Sequence, residues 1–313
     1  MKVQGQKHGD NWFLYNGDST EILKKIPDES IHYSIFSPPF ISLYTYSNSE
    51  RDLGNCRSDE EFYEQFMFIL KELYRVIKPG RLMSQHVMQI PASKEKDGFI
   101  GIKDFRGDVI RTCQKVGFIF HSEVCIYKSP VVQMQRTKAL GLLHKQIKKD
   151  SSMCRMGLAD YVVTFRKPGE NTEHITHTNE SYPVSHWQEV ADPIWEYYPS
   201  PVWWDINQSD TLNGKLARED QDERHICCLQ LPVIERCVEL WSNPGDIVLD
   251  PFNGIGSTGY QSILMGRRYI GIELKESYYN LSVKNLQAAE AKKDLQPTSL
   301  FDDYEQSAGS QTD

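Results

Sequence analysis

Residues 247–259 read Ile-Val-Leu-Asp-Pro-Phe-Asn-Gly-Ile-Gly-Ser-Thr-Gly, and this stretch decides the class of fold. Its first three residues are apolar and predict a buried strand, and its glycines predict a tight turn. The apolar periodicity that continues to Met265 predicts a helix. Such a unit places backbone N–H donors and the positive end of a helix dipole beside the strand tip. The stretch therefore predicts an α/β fold with a binding site for the polar end of a nucleotide-like ligand.

A second strand, predicted at residues 268–273, ends in the acid Glu273. Glu273 follows the first glycine of the turn by about 20 residues, the spacing at which a carboxylate binds both hydroxyls of a ribose. The glycine pattern departs from the full dinucleotide-binding form. On these residues alone a nicotinamide cofactor and S-adenosylmethionine are equally good candidates, and a tight strand-to-helix turn with an exposed Glu273 is the structural alternative.

The tetrapeptide Ser37-Pro38-Pro39-Phe40 follows another apolar run, residues 31–36, and is predicted at the end of a second buried strand. Two consecutive prolines stiffen the loop and remove two backbone donors, which leaves its carbonyls free to accept hydrogen bonds. Taken alone, the tetrapeptide is also typical of an ordinary turn. Ligands of open α/β sheets bind at strand ends, so the tetrapeptide is a candidate site.

The rest of the chain is consistent with alternating strands and helices. Residues 41–58 lack periodicity and predict a long loop, which in compact domains is usually functional or disordered. The other predicted strands are residues 12–16, 82–90, 118–127 and 161–165, and the other predicted helices are residues 19–25, capped by Ser19, and residues 59–78, 105–116 and 231–241.

Composition narrows the class of protein further. A chain of 313 residues with 39% hydrophobic and 25% charged residues can bury a sizeable core in one large or two modest domains. A polar N-terminus and the lack of an apolar run of about 20 residues predict a cytoplasmic protein without a membrane segment. The cysteine count of 7 is odd and includes no Cys-x-x-Cys pair, which argues against disulfides and against a metal site.

Charge is acidic overall and basic in one segment. The net charge of −8 argues against a simple polyanion-binding protein. Between Lys128 and Arg155, however, seven Lys or Arg residues face one acid, Asp150, which gives a local charge of +6. This basic segment is a candidate for contact with a nucleic-acid backbone, and the alternative is a solvated helix face.

Three motifs in a fixed order carry a family resemblance. Gly17-Asp18, then Ser37-Pro38-Pro39-Phe40, then residues 250–256 resemble the motifs of DNA amino-methyltransferases of the permuted, beta-type arrangement, the N-4/N-6 DNA methylases. The resemblance covers roughly residues 11–285. The run from Ser42 to Asn55 and the run from His225 to Gln230 are similar to those of solitary, phage-type or orphan members.

The resemblance implies a Rossmann-like sheet of the S-adenosylmethionine-dependent methyltransferases, circularly permuted. Strands ending at Leu249 and Phe36 would be neighbours, and strands 118–127 and 161–165 would close the sheet as an antiparallel pair. The implied organisation is a catalytic half (1–167, with the basic segment 128–155), an inserted target-recognition region (168–222), a cofactor-binding half (223–289) and a polar, frayed tail (290–313).

The same resemblance assigns a cofactor, S-adenosyl-L-methionine, and its binding residues. Asp18 would contact the adenine moiety, and Glu273 would bind the ribose. Leu231 stands where the family commonly has a lysine. The full predicted set is Asp18, His225, Asp250, Pro251, Phe252, Asn253, Gly254, Gly256, Ser257, Thr258 and Glu273.

The resemblance also implies a reaction. An exocyclic amine of a base is a poor nucleophile because its lone pair is delocalised into the ring. Ser37 and the carbonyl of Pro38 would accept its hydrogens and rehybridise the nitrogen, while Phe40 would stack on a base flipped out of double-stranded DNA. The catalytic residues are thus Ser37, Pro38, Pro39 and Phe40, and the DNA-binding candidates are Tyr44, Tyr46, Arg136, Lys138, Lys145 and Lys148. The resemblance further implies a homodimer.

The target base is less sharply indicated. Adenine-specific members usually have Asp or Asn at the first position, whereas Ser-Pro-Pro-Tyr is commoner for cytosine N4, and the combination of Ser37 with Phe40 fits neither habit. The similarity to solitary members favours adenine N6. An NAD-dependent enzyme and a catalytically silent DNA-binding protein are the alternatives from other functional classes.

Overall fold

The computed structural model describes residues 3–40, 52–56, 58–92, 94–132, 144–154, 156–179, 201–212 and 229–294. The predicted site residues Tyr44, Tyr46, Arg136, Lys138 and His225 lie outside this part of the chain. The strands are β1 (Gly5–His8), β2 (Trp12–Asn16), β3 (Ile31–Phe36), β4 (Ile77–Met88), β5 (Ile90–Ala92), β6 (Gly101–Lys103), β7 (Ile119–Ile126), β8 (Asp160–Arg166), β9 (Val202–Trp203), β10 (Ile247–Asp250) and β11 (Arg268–Glu273). The α-helices are α1 (Ser19–Leu23), α2 (Asp59–Val76), α3 (Lys94–Asp97), α4 (Phe105–Val116), α5 (His144–Lys149), α6 (Leu231–Trp241), α7 (Ser257–Leu264) and α8 (Glu276–Asp294).

One nine-stranded sheet organises the described chain, in the order β1-β2-β11-β10-β3-β4-β8-β7-β9. The five strands from β2 to β4 in this order are parallel. Leu249 on β10 is opposite Ser34 on β3, so the predicted contact between these two strands is confirmed. The predicted antiparallel pair is confirmed as β7 and β8. Circular permutation of the chain stays a prediction.

Helices cover both faces of the sheet. Helices α1, α2 and α4 pack on one face around a core that includes Phe62, Phe66 and Leu73. Helices α6, α7 and α8 pack on the other face, where Val233 and Ile263 are fully buried. All six residues of β3 are buried between the two layers, which explains why four of them are apolar or aromatic. The two polar ones, His32 and Ser34, form hydrogen bonds to the backbone of β10.

Two predicted boundaries are wrong for identifiable reasons. Helix α2 ends at Val76 and β4 begins at Ile77, since Pro79-Gly80 continues the strand and the Gly80 N–H donates to the carbonyl of Lys167 at 3.0 Å. The cap of α1 is Asp18, whose side chain accepts from the Thr20 N–H at 2.8 Å. The predicted cap Ser19 donates its hydroxyl to the carbonyl of Pro251 instead.

The C-terminal boundary also differs from the prediction, because residues 290–294 belong to α8 and not to a tail. Glu290 accepts a hydrogen bond from the Asn11 N–H at 2.9 Å and so attaches this helix to the start of β2. The buried positions Ser282, Leu286 and Ala289 have helical spacing, but the many polar residues between them conceal it. The rest of the predicted tail, 295–313, lies outside the described residues.

The described ends of the predicted recognition region pack against the sheet. Trp203, on β9 beside β7, is 1% exposed and lies under the guanidinium of Arg236, so this tryptophan is a core residue. Glu173 contacts residues at the start of β3 and β4. The aromatic residues Tyr182, Trp187, Trp195, Tyr197 and Tyr198 lie outside the described residues. Within the described chain, none of the helices combines the length and the apolar character needed to span a membrane.

Candidate active site

The carboxyl ends of β3 and β10 open into a cavity of about 520 Å³. The chain leaves β10 toward β11 and leaves β3 toward β4, so the cavity lies where the direction of strand succession reverses, the usual ligand position in an open α/β sheet. Its volume is in the range of small-molecule sites, roughly 300–1,000 Å³. The predicted residues that line it are Asp18, Ser37, Pro38, Pro39, Phe40, Asp250, Pro251, Phe252, Asn253, Gly254, Ser257, Thr258 and Glu273. The catalytic and cofactor loops predicted from distant parts of the chain therefore meet in one cavity.

The loop after β10 is held in shape by its own polar groups. The Phe252 N–H donates to the carboxylate of Asp250 at 2.8 Å. Asn253 donates to the carbonyl of Gly254 and to Ser282, both at 2.9 Å, and accepts from the Tyr269 hydroxyl at 2.8 Å. Its backbone is occupied as well, since its N–H donates to the carbonyl of Ile272 and its carbonyl accepts from the Gly256 N–H. Asn253 therefore shapes the loop, and its contact with a ligand stays a prediction.

Gly256 lies behind this loop and not on the cavity wall. It precedes α7 with φ of 89°, in the left-handed region, and a Cβ here would lie 2.4 Å from the Ser282 hydroxyl oxygen. Glycine is therefore required both by the backbone conformation and by the close approach of α8. The role of Gly256 is to bring the first turn of α7 to the cavity, where Ser257 and Thr258 line the wall.

Glu273 ends β11 at the cavity wall, and both of its carboxylate oxygens accept from the backbone. The Gly254 N–H donates at 2.7 Å and the Lys275 N–H at 2.8 Å. Burial nevertheless raises the pKa of Glu273 to about 8, and the carboxylates of Asp250 and Asp52 act in the same direction. Burial also raises the pKa of Asp250 to about 7.

The charge at this cavity is thus unbalanced on the acidic side. Among the described residues, neither Asp250 nor Glu273 forms an ion pair. Such carboxylates are stabilised by a ligand that donates hydrogen bonds or carries positive charge, since both favour the ionised form. A ribose and a sulfonium supply these two features, so the residues present fit S-adenosylmethionine.

The catalytic loop leads to a cluster that sequence reasoning missed. The Ser37 hydroxyl donates to the carbonyl of His86 at 3.1 Å and lies 3.5 Å from the Nδ1 atom of the same histidine. His86 Nε2 lies 3.1 Å from a carboxylate oxygen of Asp160, and Lys128 forms an ion pair with that oxygen. Burial raises the pKa of the Asp160 carboxyl group, but its interactions with His86 and Lys128 more than offset this effect and bring the pKa below its usual value.

A signal for this cluster is present in the sequence. Ser84-Gln85-His86 interrupts an apolar strand, and Asp160 precedes the apolar residues of β8. Lys128 adds to the local charge of the basic segment in the sequence, but Asp160, which lies outside that segment, neutralises it.

The ring of Phe40 is buried. It is 2% exposed, and its centroid lies 5.6 Å from that of Phe105 in the core beneath the cavity. The predicted stacking of Phe40 on a flipped base therefore requires the ring to leave this packing. Phe68 of α2 also lines the cavity and is 58% exposed, and it lies outside the helical spacing of the buried residues of α2.

Of the predicted DNA contacts, Lys145 and Lys148 are described. Both are exposed on the short helix α5, and neither makes an ion pair within the described chain. This placement is compatible with contact to the phosphate backbone of DNA, and that contact stays a prediction.

A second group of ionisable residues lies at the opposite ends of the same strands. His32, Glu173 and Asp246 bring their ligand atoms within 4.8 Å of one another, close enough to hold a metal ion. However, Arg81 pairs with Asp246 and Lys78 pairs with Glu173. The Ile247 N–H donates to His32 Nδ1 at 3.1 Å, which places the ring proton on Nε2, facing the two acids. A metal ion would have to displace these partners, so the group functions as an ion-pair network.

Comparison with known proteins decides the family. A family model for DNA methylases of the N6/N4 group matches residues 31–284. The chain belongs to the N4/N6 DNA methylase family. The match spans the catalytic loop, the cofactor loop and the chain between them, so the predicted resemblance is confirmed. Membership also decides for methyl transfer from S-adenosylmethionine, to an exocyclic amine of adenine or cytosine in DNA, over the nicotinamide alternative.

Individual relatives and structures agree with this assignment. The chain is 28% identical over 280 residues to the DNA adenine methyltransferase YhdJ of Escherichia coli K12, covering 88% of this chain and 83% of the relative. It is 22% identical to the type II methyltransferase M.BglI of Bacillus subtilis, covering 88% and 85%.

Two solved structures share the fold. TTHA0409 of Thermus thermophilus, complexed with S-adenosyl-L-methionine, superposes with a TM-score of 0.61 at 22% identity, over 90% of this chain and 96% of that one. The cytosine-N4-specific PvuII DNA methyltransferase superposes with a TM-score of 0.62 at 18% identity, over 93% and 96%.

Proposed function

We propose that this methylase acts on the N6 amine of an adenine flipped out of double-stranded DNA. The observation that carries the proposal is the single cavity shared by Ser37-Pro38-Pro39 and by the loop from Asp250 to Gly254. A flipped base entering beside Ser37 would lie next to the cofactor, as direct transfer requires. The choice of adenine is supported by the similarity to an adenine methyltransferase, which is the relative with the higher identity of the two described above.

The residues of the chain would divide the work as follows. Glu273 would accept the ribose hydroxyls of S-adenosylmethionine, and Asp18 would contact its adenine ring. Ser37 and the Pro38 carbonyl would accept the two amine hydrogens of the target base, turning the nitrogen lone pair toward the methyl group. When bound, S-adenosylmethionine supplies that methyl group on a positively charged sulfur. The electron-rich wall formed by Asp250 and Glu273 would favour this charge.

The test is a product analysis. The protein is incubated with S-adenosylmethionine and duplex DNA, and the DNA is digested to nucleosides and separated by liquid chromatography with mass detection. N6-methyladenine is the expected product, and Ser37→Ala should reduce its formation by about 10²-fold or more. N4-methylcytosine would overturn the choice of adenine. It is the product with which a serine at the first motif position is more commonly associated in the family. DNA binding without either product would identify a silent DNA-binding protein.

A homodimer remains part of the proposal, since it rests on family resemblance alone. Analytical ultracentrifugation of the protein with and without DNA would measure its mass directly.

A further inference from the structure

Ser37 is the first member of a series of polar side chains that leads from the cavity wall into the interior of the sheet. The cluster runs from the Ser37 hydroxyl to His86 Nδ1 at 3.5 Å, and from His86 Nε2 to Asp160 at 3.1 Å. His86 is 3% exposed and Asp160 is 1% exposed. Three elements therefore place a hydroxyl, an imidazole and a carboxylate in series, starting at the cavity wall and ending inside the sheet: the loop after β3, the strand β4 and the strand β8.

The tautomer of the neutral imidazole follows from its neighbours. Asp160 also pairs with Lys128 and carries its negative charge inside the protein. A carboxylate can only accept, so the Nε2 atom of His86 carries the proton that is donated to Asp160. In the neutral ring Nδ1 is then an acceptor, and it is the nitrogen that faces Ser37. The second oxygen of Asp160 has no hydrogen-bond partner among the described residues, which leaves this carboxylate able to stabilise additional positive charge.

The reaction produces a proton that needs such an acceptor. The amine nitrogen forms a bond to the methyl carbon while the carbon–sulfur bond breaks, and the sulfur keeps the bonding electron pair. The nitrogen then carries four substituents and a positive charge until it loses one hydrogen as a proton. A serine hydroxyl can pass this proton on but cannot hold it, because a protonated alcohol is a very strong acid.

We propose that His86 is the proton acceptor of this methylase, taking the amine proton at Nδ1 through the hydroxyl of Ser37, with Asp160 holding the ring in place. In this step Ser37 gives its hydroxyl hydrogen to His86 and receives the amine hydrogen. The product is a neutral methylated amine and an imidazolium paired with Asp160. The proton returns to solvent through Ser37 and the open cavity once the methylated base has left.

The inference rests on the proposed role of Ser37, and His86 acts through that residue and not on the substrate itself. The observed bond from Ser37 to the His86 carbonyl is the resting state of this path. A rotation of the hydroxyl moves its hydrogen toward Nδ1 while its lone pairs still face the cavity. Hydrogen bonds of catalytic groups are often longer before substrate binds, so a separation of 3.5 Å is compatible with this role.

Two variants separate proton acceptance from packing. His86→Asn keeps an acceptor near the position of Nδ1 but cannot take a proton, and His86→Gln keeps a donor toward Asp160. His121→Asn, an exposed histidine on β7 whose Nδ1 lies 2.9 Å from the Ser122 hydroxyl, is the matched control. Thermal unfolding of each variant is measured to confirm that it is folded at the assay temperature. The affinities for S-adenosylmethionine and for DNA should stay within about twofold of the wild-type values.

The measurement is the single-turnover rate of methyl transfer at saturating cofactor and DNA between pH 6 and 9. The wild-type rate should fall toward acid as one group is protonated. His86→Asn and His86→Gln should be about 10²-fold slower and independent of pH, the loss expected for one general base. The charged group in contact with the ring is Asp160, and Lys128 is linked to the ring through Asp160. Cys125 on β7 and Tyr161 on β8 also interact with Asp160.

Two results would overturn the inference while the proposed function stands. One is a His86→Asn rate within about threefold of wild type. The other is a slower rate that keeps the wild-type pH dependence, which would make the ring a structural support only. A wild-type protein that forms no methylated nucleoside would defeat the proposed function, and this inference with it.

Discussion

Ionisable groups lie at both ends of the neighbouring parallel strands β3, β10 and β11, and the two ends of this part of the sheet differ in charge balance. At the amino ends, Asp246 and Glu173 are each paired with a cation, Arg81 and Lys78. At the carboxyl ends, Asp250 and Glu273 have no cation partner within the described chain, and burial raises the pKa values of both. Ion pairs hold the segments that carry them in place. A buried carboxyl group without a cation partner can instead be stabilised by a ligand that binds to it. The difference identifies the ligand end without reference to any motif.

The largest effect should come from breaking the paired end. Asp246→Ala leaves the guanidinium of Arg81, which is 1% exposed, without its charge partner. Loss of one member of a buried ion pair costs about 3–5 kcal/mol, so the free energy of unfolding in urea should fall by about that amount. Affinity for S-adenosylmethionine, measured by calorimetry at a temperature where the variant is folded, should be unchanged. Combining Asp246→Leu with Arg81→Leu should recover part of the loss, and a loss below about 1 kcal/mol would show that the pair is not a stabilising connection.

A substitution at the unpaired end should act in the opposite way. Glu273→Gln brings an amide N–H₂ group against the N–H donors of Gly254 and Lys275 and removes one acceptor from the ligand. We expect the affinity for S-adenosylmethionine to fall by about 10- to 100-fold, or roughly 1.4–2.7 kcal/mol. Glu276→Gln, an exposed position three residues later, is the control and should bind normally. Equal affinities for the two variants would contradict the ribose contact.

The pH dependence should follow the raised pKa values. A carboxyl group whose pKa is higher in the folded than in the unfolded protein binds more protons when folded, so its contribution to stability is lost as pH rises. The pKa values are about 7 for Asp250 and about 8 for Glu273 in the folded protein, against about 4 for carboxyl groups in the unfolded chain, so the ligand-free protein should lose stability as pH rises from about 4 to about 8. The slope should reach about 1.4 kcal/mol per pH unit for each proton released.

Binding of S-adenosylmethionine should reverse this trend. Hydroxyl donors favour the ionised carboxylate, so binding should release protons and affinity should rise over the same interval. Calorimetry in two buffers of different ionisation enthalpy measures the proton count, and Glu273→Gln should reduce it. A proton count of zero in the wild-type protein would mean that these acids do not respond to the ligand.

The smallest expected effect is on the affinity for DNA and concerns α5, which is part of neither end of the parallel strands. Lys145→Ala with Lys148→Ala removes two exposed cations from α5, and the slope of log affinity against log salt should fall by about 1 for each phosphate that is no longer neutralised. Fluorescence anisotropy over a salt series gives this slope. Lys115→Ala, an exposed lysine at the end of α4, is the matched control, and an unchanged slope in the double variant would remove α5 from the DNA interface.

The parts of the fold that sequence could predict share a local cause. Residues 247–259 and the run at 31–36 carry their own periodicity and turn chemistry, and the strands and turns that they predict are present. Helix α8 was not predicted, because many polar residues lie between the residues of its buried face and conceal their helical spacing. The start of β4 was not predicted either, because Pro79-Gly80 is stabilised in the strand by a bond to Lys167, far away in the chain.

The candidate site divides in the same way. Ser37, Glu273 and the glycine loop were predicted, since each lies at the end of an apolar strand in a pattern of known chemistry. His86, Asp160 and Lys128 were not, since no local pattern links them: they come together only when β4, β8 and the end of β7 pair side by side. The same pairing explains why Lys128, which the sequence adds to the local charge of the basic segment, is neutralised by an acid outside that segment.

The sequence by itself determined the class of this protein: a parallel sheet, two loops at strand ends, and a family whose motifs occur in a definite order. Only the tertiary structure decided which charges are balanced. Whether Asp250 remains unpaired, whether Asp160 finds a lysine, and whether the ring of Phe40 faces a cavity or the core depend on neighbours that are distant in the chain. Burial and electrostatic pairing are properties of the assembled sheet, and a linear pattern does not contain them.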